Sequence, residues 1–296
     1  MRLSSPSIYI AVLCCLASAS IAKAGDPVSV PFEMSPRGHV MVPVTIGDSG
    51  PFLFSLDTGA GKTTVQPRVV KSLKLELSKE TETVVGQHGQ SEQATVILHD
   101  LSMGGATKDE IVGVSMDLDH ITQDRFEMDG ILGADYLQDF DIRIDFQKME
   151  VTLFDRAESA KNCDVCPDGA TAISFESRGT GHIIVPASIG ETAMTGVLDT
   201  GSGHSGINSL AAEALGIDVS MIGKPAASGH HAAILAGPIN AGEIKLQDRL
   251  QLGVMDRKDI FKPLGLDTIP RILMGTNLFE GRTLSISYGL NLLFVE

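Results

Sequence analysis

The chain has 296 residues and carries 37 acidic against 23 basic side chains, which gives a formal net charge of −14 at pH 7. Phosphate backbones and anionic lipid headgroups are repelled by such a charge, so it argues against nucleic acid or a membrane surface as the partner. The length and the 43% hydrophobic content suit two domains of ordinary size, each able to bury its own core.

The first 24 residues have the layout of a secretory signal peptide. Arg2 gives a positive start, residues 8–16 form an uncharged apolar run, and residues 22–24 read Ala-Lys-Ala, a small-x-small cleavage site. The run is too short to span a bilayer comfortably as a helix. Cleavage after Ala19 and an uncleaved anchor are the alternatives. We therefore predict an exported protein, periplasmic or secreted, with no stable membrane insertion after residues 1–24 are removed.

Residues 57–63 read DTGAGKT, a stretch with two interpretations. Its right half, GAGKT, is similar to the end of a phosphate-binding P-loop, in which glycines wrap a phosphate and a lysine meets its charge. Its left half, Asp57-Thr58-Gly59, places a carboxylate on a glycine turn. The two interpretations predict different chemistry, and the rest of the chain decides between them.

An internal repeat favours the Asp-Thr-Gly interpretation of residues 57–63. The segment SLDTGAG at 55–61 returns as LDTGSG at 198–203, with the aspartates 142 positions apart, and ILG at 131–133 faces LMG at 273–275 at the same offset. Upstream, GHVMVPVTIG at 38–47 faces GHIIVPASIG at 181–190. The first P-loop glycine position is Leu56, and the lysine position becomes His204 in the second copy. Both copies keep Asp-Thr-Gly-small-Gly, so the P-loop interpretation is rejected.

Each copy predicts the same order of elements. A strand (residues 40–46 and 183–189) precedes a second strand that enters Asp-Thr-Gly, and a short helix with apolar residues near i, i+4 and i+8 follows. Glycine-rich β segments, an apolar-apolar-Gly strand and a closing hairpin complete the copy. We predict a mainly β protein of two homologous lobes with one short helix each. The predicted boundaries are residues 25–156, a linker at 157–170 and residues 171–296.

The linker holds Cys163 and Cys166. In an oxidising compartment we expect a local structural disulfide between them. Zinc would require a second pair of ligands at suitable spacing, and a redox Cys-x-x-Cys motif is expected to open a helix, whereas this one stands in a polar stretch. No metal and no cofactor is predicted.

The duplicated motifs resemble those of aspartic peptidases of the pepsin and retropepsin type, in a single-chain, bacterial-style form. DTGA at 57–60 with ILG, and DTGS at 199–202 with LMG, carry the resemblance. It implies the acid-protease fold, a pair of retropepsin-like β-barrel lobes with the active-site cleft between them. It also implies an aspartic endopeptidase that hydrolyses peptide or protein substrates, as a monomer whose own lobes pair.

The resemblance assigns catalysis to Asp57 and Asp199. Two carboxylates a few ångströms apart share one proton, so one acts as general base on a water while the other hydrogen-bonds the scissile carbonyl. In the family, the threonines lock the two loops together, the glycines allow close turns or lie beneath them, and a hydroxyl after the second motif hydrogen-bonds its carboxylate. These expected supporting residues are Thr58, Gly59, Thr200, Gly201, Ser202, Gly133 and Gly275.

The family covers its cleft with a β-hairpin flap, and two glycine-rich segments here stand at matched distances after the aspartates. They are residues 84–92 and 227–238, and the candidate flap residues are Gly86, His88, Gly229 and His230. Neither segment has the tyrosine of pepsin flaps. Adjacent histidines without a third spaced ligand are interpreted as loop residues rather than a metal site.

Two functions of other classes stay open. One is a non-catalytic peptide-binding or regulatory protein that keeps the acid-protease fold, and the other is a structural secreted β protein without an active cleft. The two intact aspartates favour the enzyme.

Overall fold

The structure is a computed structural model that describes residues 26–86, 89–122, 126–218, 231–256 and 258–296. The predicted signal peptide and three candidate flap residues, His88, Gly229 and His230, lie outside these ranges. Within them, no helix combines the length and apolar character that a membrane crossing needs.

The first half of the chain contains eleven of the described strands and four helices. The strands are β1 (Val28–Pro31), β2 (Glu33–Met34), β3 (Val40–Ile46), β4 (Ser49–Leu56), β5 (Thr64–Val65), β6 (Leu77–Gly86), β7 (Gly89–Met103), β8 (Ala106–Ser115), β9 (Gly130–Leu132), β10 (Phe140–Asp145) and β11 (Glu150–Asp155). The helices are α1 (Pro67–Leu73), α2 (Asp119–Thr122), α3 (Ala134–Leu137) and α4 (Arg156–Asn162).

The second half repeats this order with twelve described strands. They are β12 (Ile173–Ser174), β13 (Glu176–Arg178), β14 (His182–Ile189), β15 (Thr192–Leu198), β16 (Gly206–Ile207), β17 (His231–Ala236), β18 (Ile239–Ala241), β19 (Ile244–Gln247), β20 (Leu250–Val254), β21 (Arg271–Met274), β22 (Thr283–Ser287) and β23 (Leu292–Val295). The helices are α5 (Ser209–Ala214) and α6 (Lys258–Phe261), with 3-10 turns at Lys262–Leu264 and Thr276–Leu278.

Each lobe has its own sheet among the described strands. The first runs β2-β3-β4-β9-β5-β8-β7-β6, and the added pairing of β3 with β7 closes β3, β4, β9, β5, β8 and β7 into a barrel. The second runs β17-β20-β16-β21-β15-β14-β18-β19, with β13 beside β14. Closure removes exposed strand edges, because every member of the ring has a partner on both sides.

A third sheet belongs to both lobes. Its order is β1-β11-β10-β22-β23-β12, so three strands from each half meet where β10 pairs antiparallel with β22. The hydrophobic core is continuous through this junction, and the rings of Phe146 and Phe279, one from each half, stack with centroids 6.3 Å apart. The lobes therefore pack as one body around a common sheet.

Parallel strand pairs position the two aspartates. In the first lobe β4 lies parallel to β9, with Leu56 opposite Leu132, and in the second β15 lies parallel to β21, with Leu198 opposite Met274. These four residues are the last of their strands. Asp57 and Asp199 therefore leave the ends of buried strands beside the strands that end at Gly133 and Gly275.

The prediction of one short helix per lobe was incomplete. The two predicted helices are α1 and α5, but α4 occupies the first half of the segment expected to be a polar linker. The side chain of Asp155 caps α4 by accepting from the backbone N–H of Glu158, and Lys161 stands in its last turn. Because α4 is short and most of its residues are polar or charged, it lacks the apolar period used to recognise helices.

The linker cysteines form a local disulfide. Cys163 and Cys166 are bonded with Cα atoms 5.2 Å apart, and Cys163 follows the end of α4 rather than opening a helix. Between them Val165 is buried, and its carbonyl accepts from the guanidinium of Arg143 on β10 at 3.0 Å. The disulfide loop is thereby attached to the shared sheet.

A buried carboxylate fastens α4 to both halves. Asp141 on β10 is fully buried and accepts hydrogen bonds from the hydroxyls of Ser159 on α4, at 2.7 Å, and Ser287 on β22, at 2.8 Å. The backbone N–H of Gly289 adds a third at 3.0 Å. Three donors, one from α4 and two from the end of β22 and the turn after it, satisfy the carboxylate, which is the condition under which a buried charge is tolerated.

Candidate active site

The two Asp-Thr-Gly loops face each other between the lobes. A side-chain carbon placed on Gly59 would stand 2.6 Å from Cγ of Asp199, and one placed on Gly201 would overlap the carboxylate of Asp57. Only glycine permits so close an approach. The carboxyl groups of Asp57 and Asp199, both partly exposed, lie within hydrogen-bonding distance of each other. The fold thus brings together two acidic groups that are 142 positions apart in the chain.

Reciprocal threonine bonds hold the loops in register. The backbone N–H of Thr58 donates to Oγ1 of Thr200 at 3.0 Å, and the N–H of Thr200 donates to Oγ1 of Thr58 at 3.1 Å. Each hydroxyl then donates to the carbonyl that precedes the opposite aspartate, on Leu198 at 3.1 Å and on Leu56 at 2.8 Å. Both threonines are buried, so water does not compete for these four bonds.

The environment of Asp57 favours its protonated form. Burial raises the pKa of this carboxyl above its ordinary value of 3.8. The rise is opposed by the backbone N–H of Gly59, which donates to Oδ1 at 2.8 Å, and by Asp199, Ala60 and His182. Because two adjacent carboxylates resist double ionisation, the pair is suited to hold one proton and one charge.

Ser202 does not make the expected bond. Its hydroxyl donates to the backbone carbonyl of His204 at 2.8 Å, so its single proton is not directed to Asp199. The backbone N–H of Ser202 donates to the carbonyl of Asp199 at 3.2 Å. The hydroxyl that the resemblance assigns to the Asp199 carboxylate is thus directed to the backbone of its own loop.

Gly133 and Gly275 lie beneath the loops. A side-chain carbon on Gly133 would stand 2.5 Å from the carbonyl carbon of Lys62, and one on Gly275 would stand 2.6 Å from the carbonyl oxygen of Ser202. The obstacles are backbone atoms, which cannot rotate away. Any side chain here would displace the loop that carries the aspartate.

Sequence reasoning missed a second layer of support. Thr63 donates from its backbone N–H and its hydroxyl to Oδ1 of Asp135, at 2.9 and 2.7 Å, and Ser205 makes the same two bonds to Oδ1 of Asn277, at 3.0 and 2.7 Å. The hydroxyls in turn accept from the N–H groups of the glycines beneath the loops. The signal was present in the sequence, because both pairs repeat at the offset of 142.

The first predicted flap is a long hairpin in its described part. Gly86 ends β6 and pairs with Gly89 at the start of β7, and β6 also contacts α6 of the second lobe. In the second segment, the described β17 pairs antiparallel with β20. Whether either segment closes over the cleft stays a prediction.

Comparisons with known proteins agree with this arrangement. Residues 42–136 match the sequence model of a family described as aspartyl protease. No curated protein sequence matches the chain. Among solved structures, the crystal structure of basic 7S globulin from soybean matches with a TM-score of 0.53 at 10% identity, over 92% of this chain and 95% of that one.

At 10% identity the structural likeness concerns the fold alone, and the predicted fold is confirmed by it. The sequence match spans the first copy of the repeat, from β3 to α3, and includes Asp57 and Gly133. The chain is thus a mainly β protein with the two-lobed acid-protease fold, whose first lobe is similar in sequence to aspartyl proteases.

Proposed function

We propose that this protein is an exported aspartic endopeptidase. The observation that carries the proposal is the juxtaposition of Asp57 and Asp199, delivered by opposite lobes and held by the reciprocal bonds of Thr58 and Thr200. The aspartyl protease match over the first lobe supports the same chemistry.

In the proposed reaction Asp57, whose pKa is raised by burial, holds the shared proton. The ionised Asp199 takes a proton from a water molecule, and the oxygen of that water forms a bond to the scissile carbonyl carbon. Asp57 keeps its proton and donates a hydrogen bond to the carbonyl oxygen as negative charge develops there. The C–N bond then breaks as the nitrogen takes a proton from the pair, which leaves an acid, an amine and the dyad again with one proton.

The direct test replaces each aspartate separately. Asp57→Asn and Asp199→Asn keep shape but cannot share a proton, so each should reduce kcat/KM by about 10²–10⁴ or more, the range for general acid–base groups. A peptide-library digest from pH 2 to 8, with cut sites mapped by mass spectrometry, gives the substrates and the rates.

Asp48→Asn is the matched control, because Asp48 is an exposed carboxylate outside the site. It should cleave as the wild type does. Activity of either dyad variant within tenfold of wild type, with unchanged circular dichroism, would remove the dyad from the mechanism. A wild-type protein that binds a statine-type transition-state mimic but cuts no library peptide would instead favour the peptide-binding alternative.

Export is proposed from the N-terminal segment and is supported by the disulfide of Cys163 and Cys166, a bond that persists in oxidising compartments. The N-terminus of the mature protein should begin at Gly25. N-terminal sequencing of the protein from a secreting host checks this, and an intact Met1 in the exported fraction would contradict it.

A further inference from the structure

The lysine of the Gly-Lys-Thr sequence is not part of the dyad, yet it ends the loop that begins at Asp57. Its backbone is fixed from beneath, because a side-chain carbon on Gly133 would stand 2.5 Å from the carbonyl carbon of Lys62 and 2.9 Å from its nitrogen. The next residue, Thr63, is bonded to Asp135 through its N–H and its hydroxyl. The side chain of Lys62 therefore starts from a point that is held firmly against the loop.

The ammonium group of Lys62 is directed to the first hairpin. Its Nζ lies 3.1 Å from Oε1 of Glu82 on β6 and donates to the carbonyl of Val112 on β8 at 3.4 Å. The side chains of Lys62 and Glu82 are 38% and 36% exposed, so the pair is partly shielded from water. It joins two segments that are separate in the chain, the loop of Asp57 and strand β6.

Other side-chain bonds of β6 stay within the hairpin. The hydroxyl of Thr81 donates to the carboxylate of Glu92 at 3.0 Å. The hydroxyl of Thr95 donates to the carbonyl of Glu80 at 3.3 Å, and both partner residues lie on β7. Such bonds stiffen the hairpin without setting its direction relative to the dyad. The ion pair of Glu82 leaves the hairpin, and because β6 also contacts α6 of the second lobe, it bears on how the hairpin lies between the lobes.

We propose that Lys62 is a positioning residue: its ion pair with Glu82 fixes the first hairpin relative to the loop of Asp57. The proposal rests on the proposed function for its kinetic arm only. Exposed ion pairs are usually weak, because two long side chains must be ordered and water competes for them. Here the backbone of Lys62 is already fixed and a carbonyl shares its ammonium group. The expected effect is therefore at the upper end for such pairs, about a two- to five-fold change in opening of the hairpin.

The first experiment measures amide hydrogen exchange in residues 77–86 and 89–96 of the full chain without substrate. The proteins are wild type, Lys62→Gln, Glu82→Gln and the double variant. Each single substitution should raise exchange about two- to five-fold, because exchange reports local opening. The double variant should exchange at the rate of the single ones, since the same pair can be lost only once.

Two further variants separate the pair from other effects of charge. The charge of Lys62 also acts on Asp135, so Lys62→Gln alone does not isolate the contact with Glu82. Lys62→Arg keeps the charge and should exchange at nearly the wild-type rate. Glu80→Gln removes an exposed carboxylate from the same strand and should leave exchange unchanged. No rise in either single variant, effects that multiply in the double variant, or an equal rise in Glu80→Gln would overturn the proposal.

The kinetic arm measures kcat/KM for a peptide that the wild type cleaves. It should fall about two- to five-fold in each single variant and no further in the double variant. At 1 M salt, where charges are screened beyond about 3 Å, the difference between wild type and these variants should shrink, which a loss of packing alone would not cause. Unchanged kcat/KM in variants whose hairpin exchange has risen would remove Lys62 as a positioning residue. If wild type cleaves no peptide, the endopeptidase proposal fails, and hydrogen exchange alone decides whether Lys62 fixes the hairpin.

Discussion

The threonine bonds between the lobes give a stability prediction that can be calculated from the structure. In Thr58→Val the hydroxyl is replaced by a methyl group of similar size, so the N–H of Thr200 loses its acceptor and the carbonyl of Leu198 loses its donor. Thr58 is 1% exposed, so water cannot replace either bond without opening the interface. A buried polar group left unpaired costs about 1–3 kcal/mol, and two of them should lower the free energy of unfolding by roughly 2–6 kcal/mol.

Urea denaturation followed by circular dichroism measures this loss, with the m value checked for constancy. The control is Thr58→Ser, which keeps the hydroxyl and removes one methyl group, at a cost of about 1 kcal/mol. Thr200→Val should behave like Thr58→Val because its bonds are the mirror image. If Thr58→Val is within 1 kcal/mol of Thr58→Ser, the threonine bonds do not stabilise the lobe interface and the reasoning fails.

Two further predictions concern pH and the linker. His39 has a pKa of about 4 in the folded protein against an ordinary 6.5. Between these values the unfolded state binds a proton that the folded state does not, so the free energy of unfolding should fall by up to about 3 kcal/mol as pH drops from 6.5 to 4. In His39→Gln, urea denaturation at several pH values should show a weaker dependence of this free energy on pH. An unchanged dependence would mean that other groups cause it. Asp141→Asn places an amide N–H against the donors of Ser159 and Ser287. The substitution should lower the free energy of unfolding by about 3 kcal/mol. The exposed Asp164→Asn should leave that free energy nearly unchanged, and equal effects of the two variants would contradict a stabilising role for the hydrogen bonds of Asp141.

The repeat carried most of what the sequence could reveal about this fold. Strand order and both Asp-Thr-Gly loops follow from spacing that two copies share, and β4 and β15 do end at the residues before Asp57 and Asp199. Helix α4 was not predicted because hydrophobic periodicity identifies only helices with a buried apolar stripe. The N-cap at Asp155, with Glu158 in the first turn and Lys161 in the last, stabilises α4 instead.

Local sequence patterns could not predict the contacts between the two lobes. The Gly-His turns stood in the quoted repeat, yet nothing in either copy says that Gly38 packs against Gly203 while Gly181 packs against Ala134, because that depends on how the lobes dock. The direction of the Ser202 hydroxyl was misjudged for a related reason. One rotatable bond decides between a nearby carboxylate and the carbonyl of His204, and the sequence does not contain that choice.

The shared sheet also determines how the molecule tolerates being divided. Strand β10 pairs with β22 from Ile142 opposite Ile286 to Asp145 opposite Thr283, so each half covers an edge that the other would leave open. A lobe expressed alone would expose that edge, and the unpaired strand would tend to pair with the same edge of a second copy of the lobe. The covalent linker then acts mainly as a tether that raises the local concentration of one half near the other. A chain cleaved within residues 167–170 should accordingly persist as a non-covalent pair of complementary fragments.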